Sequence, residues 1–400
     1  MNALEVIFWI CLAIVFYTYI GYGIVLYFMV MVKELFCKDK NNDMPIPMAK
    51  SLPDVTLLIA AYNEESVVEA KMTNCMALDY PKEKLKITWI TDGSNDHTNE
   101  LLAEYSDVNI LYKPERQGKT AALNRAMKYV KTPIVVFTDA NTMINKEAVY
   151  EIVNCFNDSK VGCVAGEKRI TIKEKDNAAG GGEGMYWKYE SALKQLDSRL
   201  YSAMGAAGEL FAIRTELFEE MKSDTLLDDF ILSMRIVQHG YKIAYCTAAY
   251  AIEDGSADMN EEKKRKVRIA AGGLQSIWRL RSLLNVFNYG IVSFQYISHR
   301  VLRWSLTPLA LFAMFPLNML LVFCSIGVNH THTLYVATLI AQFVFYLMAY
   351  WGYALSKKQI KNKLLYIPYY FVFMNVNVVK GIFYLKNKRG SGVWEKSKRA

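Results

Sequence analysis

The patterning of this chain predicts an α/β fold, a mostly parallel sheet with crossover helices, joined to membrane-spanning α-helices. Three observations predict it. From Pro53 to about Asp258 short apolar runs alternate with helical patterns, the signature of repeated strand–helix–strand units. Polar residues close those runs, at the strand ends where open α/β sheets hold ligands. Elsewhere, long windows are apolar and almost free of charge, as a bilayer requires.

Composition agrees. Four hundred residues exceed one typical domain, 52% are hydrophobic, and the net charge is +8. No dense Lys/Arg face with interleaved aromatics, the mark of a nucleic-acid binder, appears except near Lys263 to Arg268. Seven cysteines lie scattered, with no CxxC pair. They read as small hydrophobes in a reducing compartment.

Residues 1–33 form an N-terminal transmembrane helix, since Leu4 to Met31 is apolar and aromatic over a spanning length. It is too long for a signal-peptide core. Glu5 precedes it and Lys33, Lys38 and Lys40 follow, which places residue 33 onward in the cytoplasm. Residues 34–53, with three prolines, are a linker. Residues 54–285 make the cytoplasmic domain: strands at Val55–Ala60, Leu85–Ile90 and Val108–Tyr112 and a central one in Ile134–Asn141, with helices from about Glu65, Thr98, Lys119 and Asn145. Gly180, Gly181, Gly182 and Gly184 read as a mobile loop and do not fit a dinucleotide-binding GxGxxG.

Residues 286–304 read as an interfacial helix whose Arg300 and Arg303 reach toward lipid headgroups. Residues 305–356 hold two transmembrane helices, and the His330/His332 pair between them is a polar turn. Residues 364–385 have spanning length but carry Asn375, Asn377 and Lys380, so they read as a membrane or re-entrant segment. Residues 386–400 are a basic cytoplasmic tail. The chain is then a multi-pass protein of the inner (plasma) membrane.

The central strand delivers Asp139 and Asn141 to its C-terminal end. Two residues apart in extended chain, they share a side and form a hard, oxygen-rich site suited to Mg²⁺ or Mn²⁺. The alternative is that Asp139 only caps the following helix. Tyr62-Asn63-Glu64 follows the first strand and Asp92-Gly93-Ser94 the second. Their carboxylates would repel a bare phosphate but suit a nucleobase amide, ribose hydroxyls and a metal. Arg116-Gln117-Gly118-Lys119 opens a helix, where N–H groups and a lysine attract a diphosphate.

Ala-Tyr-Asn-Glu, Asp-Gly-Ser-x-Asp-x-Thr, Gly-Lys-x-x-Ala-Leu-Asn and Thr-Asp-Ala-Asn, in this order, resemble the family 2 glycosyltransferases of GT-A fold. The resemblance continues through Gly205 to Arg214 and Leu227-Asp228-Asp229, then into the membrane segments. It implies a UDP-sugar donor, with Asp92 reading the uracil, Tyr62, Asn63 and Glu64 lining the nucleoside pocket and Lys119 facing the diphosphate. Asp139 and Asn141 would hold the cation, Asn141 standing where the family has a second acid. Gly208 and Glu209 resemble the acceptor segment. Trp187 is a candidate for stacking on a sugar, although Tyr186, Trp187 and Tyr189 suit a core equally. Asp228-Asp229 matches the family's acidic pair, whose second member is the general base.

Processive relatives carry Gln-x-x-Arg-Trp where this chain has Arg265-Lys266-Val267-Arg268-Ile269. Arg265 and Arg268 suit a diphosphate, while the missing Gln and Trp count against processivity. The resemblance implies an inverting transfer from a UDP-sugar to a lipid-linked or glycan acceptor beside membrane lipids. The rivals are a processive β-polysaccharide synthase coupled to secretion, and a non-catalytic sugar-nucleotide-binding subunit.

Overall fold

The computed structural model describes residues 3–36, 52–171, 178–256, 258–326, 329–357, 360 and 362–387. Most of the expected linker and of the basic tail lies outside them.

Eight strands form one mixed sheet in the order β3-β2-β1-β4-β7-β6-β8-β5. They are β1 (Val55–Ala61), β2 (Leu85–Asp92), β3 (Val108–Lys113), β4 (Ile134–Asp139), β5 (Met143–Ile144), β6 (Val161–Thr171), β7 (Leu210–Arg214) and β8 (Lys242–Asp254). β1, β2, β3 and β4 are parallel, while β7 runs antiparallel to both β4 and β6. The chain leaves β1 toward β2 and β3, then returns to lay β4 on β1's other side. That reversal opens a crevice at the C-terminal ends of β1 and β4.

Both faces of the sheet are buried, and alternation along each strand divides its side chains between them. Leu57, Ile59 and Val136 pack into one core, Leu58, Val135 and Phe137 into the other. Helices α1 (Ala3–Phe36), α2 (Val68–Met76), α3 (Thr98–Ala103), α4 (Lys119–Met127), α5 (Ala148–Cys155), α6 (Ala178–Leu200), α7 (Asp228–Gln238) and α8 (Met259–Arg279) precede a broken helical stretch, 286–304. Then come α9 (Leu306–Cys324), α10 (Asn329–Lys357) and α11 (Lys363–Asn387). Among the described residues three helices are long and apolar enough to cross a membrane: α1, α9 and His332–Lys357 within α10.

Two expectations need correction. Gly180 to Gly184 do not form a loop: α6 runs through them, despite a helix cost of about 1 kcal/mol per glycine. Its later turns bury Leu193 and Leu200 against Tyr22, Leu26 and Val30 of α1, and packing of this kind outweighs local propensity. Arg300 and Arg303 do not reach outward to headgroups either. Both are 6% exposed and turn inward to Glu190 of α6.

Helix α11 is continuous, packs along α8 and α10, and buries Asn375 and Asn377. Gly381 permits the α8 contact, since a Cβ there would lie 2.7 Å from Ala270 Cβ.

Candidate active site

The β2 end is fixed through its carboxylate. Asp92, 5% exposed, accepts N–H bonds from Gln117 (3.1 Å) and Gly118 (2.6 Å), tying the basic loop to the sheet just before α4. Gly93 is required in that turn: its φ is +71°, and a Cβ would come within 2.8 Å of Arg116 N. Arg116 lies over the Tyr62 ring at 3.7 Å, a cation–π stack that walls the site.

Helix α4 then presents Lys119. Its ammonium is 2.6 Å from Asp139 Oδ1 and 4.0 Å from Asp228 Oδ2. Burial opposes its charge, but Asp139, Asp228 and Asp229 outweigh burial and raise its pKa above the usual lysine value. The N-terminus of α7 supplies Asp228 and Asp229, and a Cβ on Gly208 would lie 3.3 Å from Lys119 Nζ and 3.4 Å from Asp229 Oδ2. Burial and the neighbouring Asp228 push the Asp229 carboxyl up to about 7, with Lys119 opposing. Two facing acids and one cation leave one acid able to take a proton near neutral pH.

Glu209 is spoken for. Lys168, buried, pairs with it and with Glu253 (2.5 Å), and lies over the Trp187 ring at 4.8 Å. Burial favours the neutral acid, but Lys168 wins and holds the Glu209 carboxyl well below the usual range. Asn141 Nδ2 donates to Glu253 at 3.4 Å.

These groups line one cavity of about 830 Å³. It gathers Tyr62, Glu64 and Asp92 from the first two strand ends with Lys119, Asp139 and Asn141. Trp187, Gly208, Glu209, Asp228, Asp229, Arg265 and Arg268 border it as well. Asn63, expected beside the nucleoside, is not among the lining residues. With φ +53°, it turns aside and exchanges hydrogen bonds with Asn95, through Nδ2 (2.7 Å) and Oδ1 (3.0 Å).

Other lining residues were not read as site residues from the sequence. Glu190, Lys194, Arg300, Arg303 and Trp304 all border the cavity. The available signals were the i, i+4 spacing of Glu190 and Lys194 and the i, i+3 spacing of the arginines. Trp304 packs on Gly273, where a Cβ would lie 2.4 Å from the indole. Gly273 stands one turn beyond Ile269, which occupies the place of the processive enzymes' tryptophan, so a distant segment brings an indole to this face of α8.

Among the described residues no group of three His, Cys, Asp or Glu is arranged to hold a metal. The donor set here is one carboxylate, Asp139, and one amide, Asn141. That suits a small divalent cation that keeps its waters and takes further ligands from a bound diphosphate.

Comparison with known proteins agrees with this arrangement. Poly-beta-1,6-N-acetyl-D-glucosamine synthase of Staphylococcus aureus (strain COL) is 29% identical over 250 residues, 60% of this chain and 59% of that protein. The probable glycosyltransferase YdaM of Bacillus subtilis (strain 168) is 28% identical over 239 residues, 56% of each. The chain thus spans less than two thirds of the length of these relatives. A mannosyltransferase, PcManGT of Pyrobaculum calidifontis, solved in complex with GDP-Man and Mn²⁺, superposes with a TM-score of 0.68 at 18% identity, covering 97% of this chain and 100% of that one. At that identity the likeness is one of fold, the GT-A arrangement. Residues 53–272 match the family model described as "Glycosyltransferase like family 2", and the chain belongs to that family.

Proposed function

We propose that the protein is a membrane-anchored inverting glycosyltransferase that moves a sugar from a UDP-sugar to a hydroxyl of a lipid-linked or glycan acceptor. The observation that carries this reading is Asp229. It is a carboxyl with its pKa pushed to about 7, in the same cavity as the cationic Lys119 and the strand-end Asp139.

An acceptor hydroxyl is a weak nucleophile. Asp229 takes its proton as the oxygen attacks C1 of the donor sugar. The C1–O bond to the nucleotide breaks, its electron pair leaves with UDP, and the anomeric centre inverts. Lys119, Arg265 and Arg268 offset the charge that develops on the departing diphosphate. Tyr62, with Arg116 stacked on it, and Glu64 flank the nucleoside, and Asp92 keeps the basic loop in place. Asp139 and Asn141 would hold Mg²⁺ or Mn²⁺, which supplies a further positive charge to the leaving group. Gly208, Glu209 and Trp187 border the acceptor. In this reading the sheet domain faces the cytoplasm and α1, α9 and α10 sit in the plasma membrane.

A processive β-polysaccharide synthase is the second reading, favoured by the aromatic residues Tyr186, Trp187 and Tyr370 along the cavity.

The test is Asp229→Asn. Transfer should fall by about 10²–10⁴-fold, the usual contribution of a general base, while calorimetry finds UDP binding retained. Turnover at the native rate would remove the base from the mechanism.

A further inference from the structure

The cavity does not end at Asp229. It is also lined by the π turn of α1 and by α11, through Ile20, Ile367, Phe371, Met374 and Val378. The polar groups there are spent on one another: Tyr19 OH donates to Asn375 Oδ1 at 2.7 Å, and Asn375 Nδ2 donates to Phe371 O at 2.9 Å. Lys194 interacts electrostatically with Asp229 and Arg300, and Arg303 with Tyr19, whose hydroxyl meets Asn375, so these three cations link the carboxyl to the apolar end.

These cations share one carboxylate. Arg300 Nη2 and Arg303 Nη1 reach Glu190 at 2.5 and 2.9 Å, and Arg300 Nε donates to Met204 O at 2.8 Å. His299 also leans on Glu190, at 3.4 Å. Asp197, the other nearby acid, is occupied by Tyr22, Gln295 and His299. Arg303 is 6% exposed, yet its Nε and Nη2 meet no hydrogen-bond acceptor among the described residues. Lys194 is 4% exposed, and its ammonium has no hydrogen-bond or ion-pair partner among them. Buried donors left unpaired are costly, and charged ones more so.

We propose that the acceptor is a lipid whose hydroxyl-bearing head is joined through a phosphodiester or diphosphate to a hydrocarbon chain. Its phosphate is held by Arg303 and Lys194, and its chain lies between α1 and α11. The inference rests on the transfer reaction proposed above and names its acceptor. A guanidinium fork matches phosphate oxygens, and the order along the cavity (base, cations, apolar walls) matches the order of groups along such a molecule. The phosphate does not react; the bonds made and broken are those already described. A neutral glycan would leave Arg303 Nε and Nη2 and the Lys194 ammonium without an anionic acceptor.

The test reads binding rather than turnover. Full-length protein in detergent is titrated with a polyprenyl-diphosphate-linked N-acetylglucosamine and with a neutral N-acetylglucosaminyl lipid of equal chain length, followed by tryptophan fluorescence. The diphosphate lipid should bind at least about tenfold tighter. Arg303→Gln with Lys194→Met should abolish that preference and Arg303→Lys should keep most of it, UDP binding serving as the check on folding. Inorganic pyrophosphate should compete only in large excess. Equal affinity for the two lipids, a preference that survives the double substitution, or displacement by equimolar pyrophosphate would each overturn the proposal. Asp229→Asn should bind the lipid normally; if it also turned over normally, only the assignment of the base would fail.

Discussion

The two ends of the cavity are built by different means. Where β2 and β4 end, parallel strands place the polar groups, and the bonds that fix them run to the following loop and helix: Asp92 to the backbone of Gln117 and Gly118, Asp139 to Lys119 of α4. Around Glu190 the ionic cluster is built from helices. Glu190 on α6 and the arginines on 286–304 meet from 110 and 113 positions away, with Tyr22 of α1 and Tyr370 of α11 held beside them by Asp197 and Glu262. A sheet tolerates the loss of one side chain because its backbone ladder remains. A buried ionic cluster does not, since removing one member strands its partners in a medium that cannot solvate them.

Glu190→Gln is the strongest way to break that comparison. It keeps the shape and removes the carboxylate that Arg300, Arg303 and His299 share. Breaking a buried pair by removing one partner costs about 3–5 kcal/mol, so the detergent-solubilised protein should lose several degrees of Tm. An unchanged Tm would mean that water reaches this cluster and that the two ends do not differ as described.

A smaller effect sharpens the donor-side account. The proposed base, Asp229, would act only when ionised, and burial, then Asp228, raise its carboxyl to about 7. The rate should therefore climb through pH 7 and level above it, falling about tenfold for each unit below. Asp228→Asn removes a like charge, so the acidic limb should move to lower pH. A limb near pH 4 in the native protein, or one that stays in place in the variant, would show that Asp229 does not set the profile.

The same contrast explains what the sequence revealed. The parallel half of the sheet was legible because each strand is a contiguous apolar run, and its ligand-facing residues lie within a few positions of the strand end. Asp92, Lys119 and Asp139 were therefore found from local pattern. The segment 286–304 was misread because amphipathicity has one period whether the polar face meets headgroups or a polar cavity. Arg300 and Arg303 fit both, and only Glu190, more than a hundred positions away, decides between them. Gly180 to Gly184 misled for a related reason: propensity is local, while the contacts of α6 with α1 are not. Asn63 was legible as a strand-end residue, but its side-chain direction follows from a left-handed φ and from Asn95 across the turn.

The smallest effect tests whether burial, rather than charge itself, separates the regions. At its C-terminal end α1 also meets α6 through ions. Arg199 holds Glu34 bidentately at 2.7 and 2.8 Å, and Lys33 Nζ donates to Arg199 O at 2.7 Å. The geometry rivals that of Glu190 and its arginines, but Arg199 and Glu34 are each nearly half exposed. Water competes for both charges and salt screens them, so such a pair contributes at most about 1 kcal/mol. Arg199→Ala should lower Tm by a degree or two at low salt and by less at high salt, against the larger, salt-insensitive loss in Glu190→Gln. Equal losses would show that ion pairing wherever it occurs, and not its removal from water, holds α1 to the sheet domain.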